Sequence, residues 1–550
     1  MFRENNSHLQ PELFNTATYM NPRTRAMLEK SWAPLYYEHV FCKIDEKMFA
    51  PLYCPDNGSP NKPVNILLSL EFLKHLHNYT DEETLEQYYF NYQVNYALGQ
   101  RNLGGLYICE RTLYDFRRKV YEYTLAHPEE ADLVFRQYDQ LLAHFLGITK
   151  TNTKEQRTDS TAIMSNIRRA GRLALAFDVL KQAVRACPPE ILPESLRQVL
   201  EPAFKTEVLY RSRASEVKDK LQFILDLQQQ LLDAVAPFPE VAELPPVRLV
   251  RRFLAEQTVF DPALKKRVAK KGKEIAPDSL QSAYDPDATF RRKGNKEHVG
   301  YTYTLTETCA DENPVQFVTD YTVDKNVKTD PETLEERLSV IKERTGLTDL
   351  YEDGGFYSPE VQKLAEEQGV TMHYTNLTGR KPASEKLPLT AFTIENHQKV
   401  LSCPQNQAPV HTFFNEGKEE LIAWFNPDVC KVCPFQEQCP VKIQKKKALL
   451  KISQKSLLAA EIRKELADHE LRREATSKRA AIEGTISAIK RGRGAGKLSV
   501  RGQIKCALVM GFKTIAHNFQ QLKKYFALKA KEEKAAKIKT SLLQGVSVPT

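Results

Sequence analysis

Residues 299–375 read VGYTYTLTETCADENPVQFVTDYTVDKNVKTDPETLEERLSVIKERTGLTDLYEDGGFYSPEVQKLAEEQGVTMHYT, and their changing period decides the fold. VGYTYTLTET (299–308) alternates as a half-buried strand does, and PVQFVTDYTV (314–323) is its expected antiparallel partner. PETLEERLSVIKERTG (331–346) takes up a helical period and stops on glycine. LTDLYEDGG (347–355) is a short strand running into a turn. SPEVQKLAEEQG (358–369) is a helix with Ser358 as N-cap, Pro359 at its first position and Gly369 at its end. VTMHYT (370–375) is the next strand. The order β-β-α-β-α-β describes an α/β sheet layered with helices.

Outward from this segment the chain is too long for one domain, at 550 residues. Residues 1–60 form a polar, Pro-rich arm, and 61–145 read as a helical DNA-binding or dimerisation domain. There Leu67, Leu70, Leu73 and Leu76 recur at helical spacing, and Thr80 with Glu83 resembles a capping box. Residues 150–165, 281–385 and 452–525 compose the α/β core. A mostly helical insertion fills 166–280, a Cys-rich insertion fills 386–451, and a basic tail occupies 526–550. The net charge of +9 is uneven, with KIQKKK (442–447), KRGRG (490–494) and KAKEEKAAKIK (529–539) near the C-terminus. Clustered positive charge suggests a polyanionic partner, of which nucleic acid is the commonest. A solvated tail is the plainer alternative for 529–539. The first residues, MFRENNSHLQ, carry no apolar signal region, and no apolar run is long enough to span a bilayer. A cytoplasmic protein without membrane contact is therefore expected. Six scattered cysteines suit reduced, buried thiols.

Three acids stand out. Asp159 lies in RTDST at the expected end of a strand, and Asp353 in LYEDGGFYS, where a strand gives way to Gly354 and Gly355. Ligands of α/β sheets bind at the carboxyl ends of strands, and paired glycines permit a phosphate or metal to approach closely. Glu483 lies in KRAAIEGTISAIKRGRGAGK (478–497), the one acid of a basic helical segment. Three such carboxylates can hold two divalent cations about 3.5–4 Å apart for phosphoryl transfer, and Mg²⁺ suits hard oxygen ligands. A turn aspartate is more often structural, and Asp285 and Asp287 are read so. Arg479 and Lys490 fall on the face of Glu483 at 3.6 residues per turn, which places bases for a DNA backbone beside a metal ligand. An ordinary i, i+4 ion pair is the alternative, but it leaves Lys490 and Gly484 unexplained.

The R-x3-E-x6-K spacing of Arg479, Glu483 and Lys490 resembles the signature around the catalytic glutamate of DDE transposases from bacterial insertion sequences. TDST with Asp159 and EDGGFYS with Asp353 resemble the first and second catalytic aspartates, and PVNILLSLEFLKHL…ERTLYDFRRKV resembles the helical domain that precedes the core. The resemblance covers roughly 60–525 and departs at Thr476, where the related signature has Tyr. It implies an RNase H-like core, a mixed sheet flanked by helices. It also implies Mg²⁺ or Mn²⁺ on Asp159, Asp353 and Glu483, hydrolysis of a phosphodiester at terminal inverted repeats, and strand transfer into target DNA by a homodimer at the nucleoid. Arg479, Lys490, Arg491, Arg493 and Lys497 would contact DNA, with RGRGAGK as a mobile loop, joined by Arg292 and Lys293 of RRKGNKEH (291–298). A solvated hairpin end is the alternative for the last segment. A nuclease of the same fold that does not join ends, and a catalytically inactive DNA-binding derivative, are the competing functions.

Cys403, Cys430, Cys433 and Cys439 give C-x26-C-x2-C-x5-C in an irregular, Pro-rich region. Four thiolates with a C-x2-C half suit tetrahedral Zn²⁺, which would rigidify an insertion too small for its own core. His411 could replace one cysteine, and unrelated buried thiols are the alternative.

Overall fold

The computed structural model describes residues 1–10, 15–211, 213–377 and 386–543, the last five of these by backbone only. Parts of the expected arm (11–14), core (378–385) and tail (544–550) lie outside the described residues.

The central sheet contains β1 (Glu155–Ile163), β2 (Thr289–Lys293), β3 (Lys296–Thr308), β4 (Val318–Lys325), β5 (Asp349–Glu352) and β6 (Thr371–Tyr374). Its order is β2-β3-β1-β5-β6, with β4 on the far side of β3. Strands β2 to β4 are antiparallel to their neighbours, whereas β1, β5 and β6 run parallel. The expected β-β-α-β-α-β order is present as β3, β4, α8 (Asp330–Thr345), β5, α9 (Pro359–Glu367) and β6. Thr329 and Glu332 form a capping box at α8, Gly346 closes it at φ 69°, and Ser358 accepts from Val361 N–H at α9. This mixed sheet with flanking helices is an RNase H-like core.

One sheet face packs against helices from both ends of the chain. These are α1 (Val64–His77), α2 (Asp81–Phe90), α3 (Glu110–Ala126) and α4 (Leu133–Thr149), with the 41-residue α13 (Gln503–Leu543). Leu70, Phe116, Tyr138, Tyr303, Phe317, Met510 and Phe519 belong to one continuous core. The capping box at Thr80 forms in both directions. Arg117 of α3 is turned inward, paired with Glu71 at 2.7 Å and with Asp81.

The insertion after β1 has its own core among α5 (Arg172–Ala186), α6 (Val217–Val235) and α7 (Pro245–Gln257). It is not wholly helical, since it ends in an antiparallel ribbon of Thr258–Asp261 and Lys266–Ala269. The Cys-rich region contains a four-stranded sheet of β7 (His411–Asn415), β8 (Glu420–Phe425), β9 (Lys442–Ile443) and β10 (Ala448–Ser453), in the order β7-β8-β10-β9. This sheet buries Leu421, Phe425, Leu450 and Ile452, so the region has an apolar core, contrary to the expectation from its size. All ten cysteines are free thiols, and Cys42 and Cys54 are exposed rather than buried. Among the described residues no helix is long and apolar enough to cross a membrane.

The helices α10 (Gln454–Glu465), α11 (His469–Ala480) and α12 (Ile482–Ser487) return to the sheet. The single helix expected around Glu483 is broken at Ala481 and ends in a wide π-turn over Ala488–Gly492.

Candidate active site

Strand register brings the two aspartates together. β1 runs parallel to β5 only through Arg157, which pairs with Tyr351. Asp159 and Asp353 each lie two residues further along, at matching positions where that pairing stops. Side chains two apart share a sheet face, and on this face Arg157 and Tyr351 both meet α11. Asp159 is therefore in the middle of β1, opposite Leu305 of β3, and not at a strand end as expected. It is its parallel neighbour that ends there. Asp353 does lie at a strand end, in the turn after β5.

The paired glycines serve this turn instead of leaving room for a ligand. Gly354 N–H donates to Asn376 Oδ1 at 2.8 Å, and a Cβ on Gly354 would lie 2.3 Å from Asn376 O. Gly355 N–H donates to Asp353 Oδ1 at 2.7 Å, which orients that carboxylate. A Cβ on Gly484 would meet nothing within 4 Å, so that glycine does leave open space beside Glu483.

A buried ion pair holds the third acid's helix. Arg157 donates to Glu307 Oε1 from Nε (2.7 Å) and to Lys478 O from Nη1 (2.7 Å). Thr485 of α12 donates to Glu307 Oε2 at 2.7 Å. Glu307 thus ties β1 and β3 to both sides of the break at Ala481. Burial pushes its carboxyl up, and the Arg157 charge opposes this. None of the three was singled out from the sequence, which offers no signal that Arg157, Glu307 and Thr485 meet.

Arg479 stands among all three candidate acids. Its Nη2 is 2.7 Å from Asp159 Oδ2 and 3.7 Å from Asp353 Oδ2, and its Nη1 is 3.7 Å from Glu483 Oε1. It faces carboxylates here, not the open surface expected of a phosphate contact. Burial raises the Asp159 carboxyl, against the pull of Arg479 and of the Ser160 N–H. Glu483 has 69% of its side chain exposed and is the least held of the three. Three hard carboxylates converging on one cationic point are a donor set that suits Mg²⁺ or Mn²⁺. Among the described residues, as they stand, no three His, Cys, Asp or Glu side chains are grouped to enclose a metal ion.

The basic candidates divide. Lys490 donates to Thr161 Oγ1 at 3.0 Å and Ala162 O at 2.7 Å, beside Asp159 on β1, and burial lowers its ammonium. Arg491 and Lys497 are exposed, and Lys497 bridges to Met164 just after β1. Arg292 and Lys293 lie exposed at the β2–β3 hairpin end, where Gly294 turns at φ 61°. Lys293 is close enough for its charge to oppose the rise at Asp159. Arg493 does not face DNA as expected. It is buried and donates to Leu76 O at 3.1 Å, while its own carbonyl accepts from Lys513. The expected mobile loop is likewise pinned, because Met164 N–H donates to Gly496 O at 3.2 Å and Leu498 N–H to Met164 O at 2.7 Å. Thr476 is exposed and donates back to Arg472 O at 2.7 Å.

Two further acids were missed. Asp330, at the start of α8, accepts from Ser160 Oγ at 2.9 Å and from Arg291 Nη2 at 3.3 Å. Glu352 precedes Asp353, is 0% exposed, and has no hydrogen-bond partner on either oxygen. Burial, then the charges of Asp353 and Asp330, push its carboxyl well above the usual range. The native state therefore keeps a proton that the unfolded chain releases. That stability is complete below the unfolded value, near 4.3, and is lost as pH rises towards the folded one. Glu352→Gln removes the loss. The variant should match wild type at about pH 4 and gain up to about 1.4 kcal/mol per pH unit above it. Denaturant unfolding at several pH values tests this, and a pH-independent difference would rule it out.

Cys403, Cys430, Cys433 and Cys439 line one cavity with Phe425, and burial plus the other three thiols push Cys430 up. His411 does not line that cavity and packs on Trp424, ring centroids 5.1 Å apart.

Residues 402–523 match the family model described as Transposase DDE domain, and residues 36–119 match Transposase domain (DUF772). The first match contains Arg479, Glu483 and the four clustered cysteines, whereas Asp159 and Asp353 lie outside both. No curated protein and no solved structure matches the chain. With the RNase H-like sheet between them, these two matches support a DDE-type transposase of the insertion-sequence type.

Proposed function

We propose that the chain is an active DNA transposase that hydrolyses a phosphodiester at each element end and joins the freed 3′-hydroxyl to target DNA. The observation that carries this reading is the convergence of Asp159, Asp353 and Glu483 on Arg479. Asp159, Asp353 and Glu483 would hold Mg²⁺ or Mn²⁺, as two ions. Bound there, the metal supplies Lewis acidity to the attacking oxygen and neutralises charge on the phosphodiester. Lys490, Arg491, Lys497, Arg292 and Lys293 grip the DNA backbone around the site, and their phosphate contacts set position rather than sequence. The catalytic unit is assigned to 150–165, 281–385 and 452–525, acting in the cytoplasm at the nucleoid. Two ends cut together call for a homodimer on DNA.

Pre-cleaved element ends incubated with target DNA and Mg²⁺ should give joined product, and EDTA should abolish both cutting and joining. Cutting without joining would leave an endonuclease. DNA binding without cutting would leave an inactive derivative.

We also propose structural Zn²⁺ at Cys403, Cys430, Cys433 and Cys439, supported by the one cavity they line. Protein purified without chelator should carry one zinc per chain by metal analysis and lose it with Cys430→Ser. A zinc-free preparation would refute the assignment.

A further inference from the structure

The helical insertion ends in a ribbon whose composition fits no role described above. Thr258–Asp261 pairs with Lys266–Ala269, placing Phe260 opposite Arg267 and Asp261 opposite Lys266. The base is fixed. Arg172 of α5 donates to the carbonyls of Gln257 and Lys270, and Gln222 of α6 donates to Arg267 O at 2.8 Å. The tip is a formed turn, in which Asp261 Oδ1 accepts from Ala263 N–H (2.9 Å) and Leu264 N–H (3.2 Å).

This rigid support presents apolar side chains to solvent. Phe260 is 57% exposed and Leu264 59%. Around them the chain from 258 to 274 carries six cations (Lys265, Lys266, Arg267, Lys270, Lys271 and Lys273) against the acids Asp261 and Glu274. Lys270 donates to Glu256 O at 2.9 Å, and Lys266 lies 3.6 Å from Asp226, but Lys265, Lys271 and Lys273 are exposed. Exposed large apolar groups mark an interaction site more often when they cluster. A protein partner with an apolar surface would have to desolvate the lysines around these groups. Duplex DNA would not, since its phosphates pair with them. A DNA groove also admits a two-stranded ribbon, and apolar wedges such as Phe and Leu insert between base steps.

We propose that the 258–269 ribbon, with the lysines of 270–273 that follow it, is a duplex-DNA arm, its lysines on phosphates flanking a groove and Phe260 and Leu264 set against base steps. The proposal rests on the chain being a DNA-acting protein and assigns a role to the insertion. The test uses the full chain on a duplex of about 40 base pairs, with fluorescence anisotropy across a salt series. Lys265→Gln, Lys271→Gln and Lys273→Gln together should flatten the slope of log K against log salt by about 2–3, since each phosphate contact contributes about 0.9. Phe260→Ala with Leu264→Ala should weaken binding about tenfold at unchanged slope and reduce bending seen by energy transfer between end labels. All of these side chains are exposed, so matched thermal melts are expected and serve as the folding control. Wild-type slope in the lysine variant, or wild-type affinity in the apolar variant, would overturn the arm while leaving the DNA reading intact. A wild-type chain that bound no duplex would overturn the DNA reading itself.

Discussion

Asp353→Asn is expected to lower DNA cleavage and joining at least a thousandfold, equivalent to about 4 kcal/mol of transition-state stabilisation. The substitution is nearly isosteric. Its amide oxygen can still accept from Gly355 N–H, the contact that now orients Asp353 Oδ1 at 2.7 Å. What it removes is one of three negative charges that meet at Arg479. The loss should therefore fall on chemistry and on Mn²⁺ binding, while the melting curve stays close to wild type. Nicking of supercoiled plasmid with Mg²⁺ or Mn²⁺ gives the activity. If nicking persisted within tenfold of wild type, the active site would lie elsewhere. Asp159→Asn should behave alike, with one difference. Asp159 is buried and its carboxyl is raised by that burial, so neutralising it relieves a desolvation cost that the exposed Glu483 does not bear.

The second large effect is on stability. Arg157→Met should cost about 3–5 kcal/mol, because it leaves the fully buried Glu307 carboxylate without its cation. It also removes the donor to Lys478 O at the end of α11, just before Arg479. The break at Ala481 would then lose one of its ties to the sheet, leaving Thr485 on Glu307, Lys478 on Glu155 and Arg479 on Asp159, so activity should fall as well. Arg157→Lys should lose less, since a single ammonium restores the charge but cannot reach both acceptors. Denaturant unfolding of the full chain checks the order: Met largest, Lys intermediate. An unchanged first transition in Arg157→Met would show that Glu307 is neutral without its partner.

Much of the element pattern was legible along the chain because its causes are local. The capping box at Thr80, the Ser358 N-cap with Pro359, and the left-handed Gly346 stop each depend on a few consecutive residues. The alternation of 299–308 and the two helices beyond it likewise give the β-β-α-β-α-β order of elements along this part of the chain. The spacing of Arg479, Glu483 and Lys490 draws attention to one helical segment, which is broken at Ala481 between the first two.

Only the tertiary structure decided what those residues touch. The β1–β5 register sets Asp159 beside Asp353, and no local pattern carries register between strands whose paired residues are 194 apart. Arg479 meets Asp159 across 320 residues of chain, and Arg493 reaches Leu76 across 417. In sequence both arginines belong to the same basic stretch, and charge alone gave them the same role. Burial separates them. One guanidinium is placed among carboxylates at the site, and the other is locked under the N-terminal helices, because packing assigns each side chain a dielectric and a set of partners that composition does not contain. Glu352 shows the same limit, since an acid beside Asp353 looks solvent-facing until the strand's alternation turns it into the core.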